Sequence, residues 1–491
     1  MEQRPGEISR RAFLKRATAV SVGSIAARGF YEVLDELAGG PNAAYAGPVR
    51  RREEQYLVDN VEVIIDNGVT LAVPPLHNDV ITARLRARTS WTVRNLKAAQ
   101  SRLASALATV EKPYSSTAAG LTMVVGWGLP YFRNYLPASV SSYLPVDTTL
   151  SQQTGTRQLA ILDSIRFPSD PDDVLLESND VVFKLRSNSQ DILRKVERAL
   201  FDDTAGSAYV GDLFDLTSKR IGFLGRGFGT RSIAKQLALA AQVPGAELIP
   251  DDAQLMLGFT STQTAALGPD NIVSFETLPG VTNQFPNGYF AGGCAMHLSH
   301  LHEDLEQWYG GNDYNARVAR MFSPRTSAAP DTVTLPNGPA EVSSAQQVKD
   351  DAASGVVGHN STLQQVTRLA RDVTDNYGRL RRAGTAIPLR EDFNTIDNPF
   401  AWSADPAADR MAATAAAGMH FVAFIPASHR FHLARLAMDG VFPDGTDLRS
   451  AEYNITSRDN GINAALRTTH RQNFLVPPRR RRSFPLVELL G

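Results

Sequence analysis

The sequence predicts an α+β protein. Three observations carry that reading. Strand-like and helix-like stretches alternate along one section of the chain, a similar order returns further on, and the composition is globular, at 43% hydrophobic and 21% charged.

Val61 to Val73 reads as two strands joined by a turn at Asp66-Asn67-Gly68. Leu96, Leu103, Leu107 and Val110 recur at helical spacing, so one face of that helix packs on something. Leu121 to Val125 is a β-rich run ending in Gly126-Trp127-Gly128. Val181, Phe183 and Leu185 alternate with Val182, Lys184 and Arg186, which predicts a half-buried strand. Ser189 then stands as N-cap of a helix that carries Ile192, Leu193, Val196, Ala199 and Leu200 on one face. Strand, helix, strand, strand, helix, strand is the order of a ferredoxin-like unit.

A second unit is expected to start near Leu255-Met256-Leu257-Gly258-Phe259. It closes with a strand from Met419 to Ile425, a helix from Ser428 to Met438 and Asp439-Gly440. Pro324 to Gln346 reads as a surface loop, and Arg479 to Arg482 as a solvated basic tail. The expected division is a leader at 1–46, ferredoxin-like units at 47–245 and 246–445, and a C-terminal extension at 446–491.

The leader rests on Ser9-Arg10-Arg11-Ala12-Phe13-Leu14-Lys15, which fits the twin-arginine export motif. A weakly apolar segment from Ala17 to Ala27 follows, and Ala44-Tyr45-Ala46 is a small-x-small site for cleavage after Ala46. The expectation is a protein carried out already folded by the twin-arginine translocase, to the periplasm, cell wall or exterior, with any cofactor loaded beforehand. Removing 1–46 takes out six Lys/Arg and five Asp/Glu, moving the formal net charge from −1 to −2. So balanced a chain has no bulk field for nucleic acid. Its single cysteine, Cys294, rules out an intrachain disulfide and reads as a small buried apolar group. No apolar run after the leader is long enough to span a bilayer.

Several segments together resemble the dye-decolorizing peroxidase family. They are Leu121 to Gly128, Asp172 to Leu176 with the strand and helix after it, Gly358-His359-Asn360, Arg379-Leu380-Arg381-Arg382, and Gly418 to Phe424. They keep the family's order over most of Gly47 to Gly440. The resemblance implies two ferredoxin-like domains, a b-type haem beside the second, and hydrogen-peroxide-dependent oxidation of an organic electron donor; it leaves a homo-oligomer open. It places His359 on the haem iron, Arg381 as the distal arginine, and His420 in a strand along the pocket. Asp375 or Asp372 would accept the other ring N–H of His359. The pattern departs from the family at Gly258-Phe259-Thr260-Ser261-Thr262, where Gly-x-x-Asp-Gly is expected. Ser261 occupies the place of the acid, and a hydroxyl is no proton acceptor near neutral pH. The alternative is a haem- or iron-handling or non-catalytic binding protein that keeps the fold.

Other chemistry-bearing residues read differently. His297, His300 and His302 form the densest imidazole group, with Glu303 and Asp304 beside them. No single regular element presents all three: a strand puts 300 and 302 on one face, a helix 297 and 300. A structural or haem-edge role is expected over a metal site. His429 and His432 share a helical face without a third ligand at a suitable interval. Gly225-Arg226-Gly227-Phe228-Gly229 lacks nucleotide-binding spacing and reads as a loop. Trp127, Trp308, Trp402, Tyr131 and Tyr309 read chiefly as packing aromatics, with electron relay to a bulky donor as the sharper reading.

Overall fold

A computed structural model describes residues 51–225, 232–260, 271–335, 343–398 and 400–491. The leader at 1–46, Ser261, and Arg226 to Gly229 lie outside the described residues.

The first unit consists of β1 (His77–Leu85), α1 (Val93–Glu111), β2 (Thr122–Trp127), β3 (Val181–Ser187), α2 (Gln190–Glu197) and β4 (Phe214–Phe223). Antiparallel pairing sets these strands in the order β4-β1-β3-β2. The second unit consists of β5 (Cys294–Glu303), α3 (His359–Thr367), β6 (Phe393–Asp397), β7 (Ala416–Ile425), α4 (Ser428–Met438) and β8 (Leu466–Val476). Its order, β8-β5-β7-β6, is the same. Both are ferredoxin-like sheets, in accord with the expected fold class.

The two sheets meet at both edges. Asn394 of β6 pairs with Phe223 of β4, and Leu475 of β8 pairs with Trp127 of β2, so eight strands close into a ring. A closed ring has no free edge to template aggregation. At the first seam the backbones come so close that a Cβ on Gly222 would lie 2.2 Å from the carbonyl oxygen of Asn394. Only glycine fits there.

Ring closure corrects three expectations. First, β3 is buried on both faces rather than one. Lys184 and Arg186, the expected solvent side, point into the ring, where Lys184 Nζ donates to Asn78 Oδ1 at 2.7 Å and both cations meet Glu391. Burial pushes the Lys184 ammonium down to about 8, against the pull of Glu391. Second, residues 446–491 are no appendage: β8 pairs along nearly the whole of β5 and completes the second sheet. Third, the basic tail is held. Arg482 and Arg479 contact the carboxylate of Glu111 at the end of α1, and Arg51 joins them. Burial pushes the Glu111 carboxyl up, but the three guanidinium groups outweigh it and hold it at about 2.

Elsewhere the local signals match. Thr92 caps α1, which buries Leu96, Leu103, Leu107 and Val110 against the first sheet. The early hairpin forms from Glu62–Asp66 and Val69–Val73 around Asn67-Gly68. Ser189 precedes α2, but its side chain makes no capping bond. The stretch Leu255 to Phe259 is turns, and the first strand after it is β5. Cys294 is buried. Trp127 and Trp308 are buried with their indole N–H groups donating to the carbonyl oxygens of Arg482 and Leu257, as packing aromatics do.

Candidate functional site

The outer faces of the two sheets differ. Against the second sheet, α3, α4 and the strands border an open cavity whose atom-free space, the open solvent at its mouth included, is about 1550 Å³. Alternate residues of β5 (Ser299, Leu301, Glu303) and of β7 (Met419, Phe421) form its floor. Phe259, Phe322, Leu363 and Phe431 make its upper wall largely apolar.

His359 is the imidazole on that wall. It is the first residue of α3, fixed by its neighbours on both sides. Gly358 presses against the backbone of Phe322, where a Cβ would lie 2.1 Å from the carbonyl oxygen, and the amide of Ser361 donates to that same oxygen at 3.1 Å. Burial pushes the His359 ring down to about 3, and the charges of Arg390 and Arg435 act the same way. The ring is therefore neutral, with one unprotonated nitrogen able to act as a ligand. The resemblance-based placement of His359 thus falls on a cavity wall.

The other expected site residues do not gather there. Arg381 and Asp375 lie on the small hairpin formed by Val373–Thr374 and Leu380–Arg381. Arg381 Nε donates to Asp375 Oδ2 at 2.8 Å, and Arg381 Nη2 donates to Asn271 Oδ1 at 2.9 Å. Asp375 also accepts from the amides of Tyr377 and Arg379. Each therefore satisfies the other inside a tight turn, and neither lines the cavity. Asp372 is bonded to Arg382 and to the amide of Ala383. His420 is corrected by strand parity: Met419 and Phe421 face the cavity, so His420 faces the inside of the ring.

In their place the cavity presents Arg390, Asp392 and Glu303. Arg390 precedes β6 and pairs in register with Ala423 of β7. Arg390 and Asp392 face the cavity while Glu391 between them reaches Lys184 and Arg186. Neither carboxylate oxygen of Glu303 has a hydrogen-bond partner among the described residues. Burial pushes that carboxyl up to about 8, and the neighbouring charge of Asp392 adds to the shift. Sequence reasoning missed this trio. The run Arg390-Glu391-Asp392 directly before the strand Phe393–Asp397 was its available signal. Arg435, bonded to Asp439 at 2.8 Å and Ser169 at 2.6 Å, and Arg368, bonded to the carbonyl oxygen of Gly384, complete a cationic part of the wall.

The histidine cluster divides as strand parity requires. His297 is on the outer face, its Nδ1 2.7 Å from Asn473 Oδ1 and its ring stacked on Phe431 at 3.4 Å between centroids. His300 and His302 point into the ring.

A family model, described as a family of unknown function (DUF7405), matches residues 75–478. The chain belongs to this family. Its matched segment includes both sheets, His359 and every cavity residue named above. No curated protein matches the sequence. Solved structures similar to it include a DyP-type peroxidase from Cellulomonas bogoriensis, at 14% identity and a TM-score of 0.49, covering 89% of this chain and 95% of that one. A dye-decolorizing protein from V. cholerae is similar at 14% identity and a TM-score of 0.43, covering 84% and 97%. A variant of Rhodococcus jostii RHA1 DypB in complex with heme gives 14% identity, a TM-score of 0.45, and coverage of 84% and 96%. Among the described residues, no helix is long and apolar enough to cross a membrane.

Proposed function

We propose that the cavity binds haem through His359 and that the protein is an exported, peroxide-dependent oxidase of organic donors. The observation that carries this reading is the neutral, cavity-facing imidazole of His359 on a wall that is otherwise apolar and arginine-bearing. Those features fit the group: an imidazole nitrogen is a haem-iron ligand, apolar side chains match the macrocycle, and arginines match its carboxylates. When bound, haem would supply the iron that reacts with peroxide.

The chain's own residues supply the rest. Arg390 brings a permanent positive charge, which steadies negative charge developing on an oxygen nearby. Glu303 holds a proton on its buried carboxyl and can release it inside the cavity as a general acid. The apolar wall excludes bulk water. Export is supported by Arg10-Arg11 and the cleavage site at Ala46.

Purified protein from haem-replete cells is expected to show a Soret band that His359→Ala abolishes or shifts strongly. Haem-free protein under those conditions overturns the reading. With haem bound, Glu303→Gln is expected to slow the reaction with peroxide by about a hundredfold or more, read by stopped-flow mixing. An unchanged rate would remove Glu303 from the reaction with peroxide. Replacing Arg10 and Arg11 by Lys is expected to leave the protein in the cytoplasm, since the translocase reads the guanidinium pair; continued secretion overturns the export route.

A further inference from the structure

We propose a second site, inside the ring, that binds one first-row divalent metal ion through His300, His302 and Asp397. It does not depend on the haem reading. The two imidazoles share a face of β5 because they are two residues apart. Asp397 ends β6, on the far side of β7, and reaches them across Gly418, which pairs with His302. A Cβ on Gly418 would lie 3.1 Å from His300 Nε2, so the missing side chain is what leaves the space.

The ligand-type atoms of the three residues all lie within 4.8 Å of one another. His302 Nε2 is 2.6 Å from Asp397 Oδ2, and His300 Nε2 is 3.2 Å from Asp397 Oδ1. The second contact lacks hydrogen-bond geometry, and both of its atoms are buried without a hydrogen-bond partner among the described residues. A tetrahedral zinc ion with bonds near 2.0–2.2 Å spaces its ligand atoms roughly 3.3 Å apart, close to the His300–Asp397 separation and wider than the His302–Asp397 contact, which would part to admit the ion. Two imidazoles and one carboxylate are a donor set for zinc, iron, cobalt or nickel, and they leave further coordination positions for water.

The surroundings support ligation. A bulge in β8 turns Thr469 inward, and its Oγ1 lies 2.6 Å from His300 Nδ1. With the proton of His300 on Nδ1 and accepted by Thr469, the Nε2 lone pair faces Asp397. His420 packs 4.9 Å from His300 between ring centroids, fully buried, with neither nitrogen bonded among the described residues. So unsatisfied a group calls for a water or ion beside it, and a metal-bound water would satisfy it. His302 alone keeps some exposure, which gives an ion its way in.

The test uses the full-length chain, stripped with chelator and titrated with Zn²⁺ by calorimetry and elemental analysis. One equivalent is expected, with His302→Gln weakening it by about a hundredfold or more. Gly418→Val, which removes no ligand, is expected to lose it as well. His359→Ala should keep it. Cobalt in the unaltered protein should give visible d–d bands of a low-symmetry site, a readout that needs no variant. The proposal is overturned if the unaltered chain binds no zinc. It falls equally if His302→Gln binds zinc undiminished, or if His359→Ala is the variant that loses the ion.

Discussion

The two ferredoxin-like units share a strand order and differ in what covers them. In the first, one 19-residue helix, α1, joins the first two strands and packs tightly, with Leu96, Leu103 and Leu107 buried on the sheet. In the second, the connection from β5 to β6 holds shorter helices, Tyr314–Met321, Ala345–Ala353 and α3. Short helices joined by turns cannot press a continuous apolar stripe onto four strands' width, and the cavity is what remains. One sheet design thus gives a core in one copy and a site in the other. The length and continuity of a crossover decide which.

The largest expected effect tests the solidity of the first unit. Glu111→Gln leaves three arginines facing a neutral amide in a buried setting and should lower stability by about 3–5 kcal/mol at pH 7. The folded carboxyl titrates near 2, below the roughly 4.3 of an unfolded chain. Its contribution is therefore full above about pH 4.5 and is lost as the pH falls toward 2. Denaturant melts of both proteins should converge over that window. A constant gap would show that the carboxylate's charge is not the source.

Next in size, Leu103→Ala should cost about 3 kcal/mol, the usual price of a cavity in a packed core. The same change at Leu301, on the cavity floor, should cost only about 1 kcal/mol, because much of that side chain already faces open space. Equal losses at the two positions would mean that the second cover closes on its sheet in solution.

The sequence disclosed the local elements well, because period and capping are local facts. Leu96 to Val110 gave α1, and the parity of His300 and His302 was legible without coordinates. Ring closure was not. It hangs on Asn394 with Phe223 and Leu475 with Trp127, pairs far apart in the chain, so the inward faces of β3 and β5 read as solvent or edge. The same blindness hid Asp397, which joins His300 and His302 only through the sheet order. At the cavity, the Gly358-His359-Asn360 motif points to a residue that lines the wall. The family resemblance points to Arg381 as the distal arginine, whereas Asp375 and Asn271 hold it in its own turn.

The place of β8 bears on how the molecule is made. This strand lies between β5 and β2, yet it is formed from residues 466–476, near the end of the chain. During synthesis the first sheet is complete long before its far border can be sealed, so Lys184 and Arg186 line an open trough until residues 466–476 emerge. Assembly of the ring is therefore a late event governed by contacts of great sequence separation, which fold slowly. A ribosome-bound chain arrested before residue 466 should be the species that chaperones hold and proteases cut.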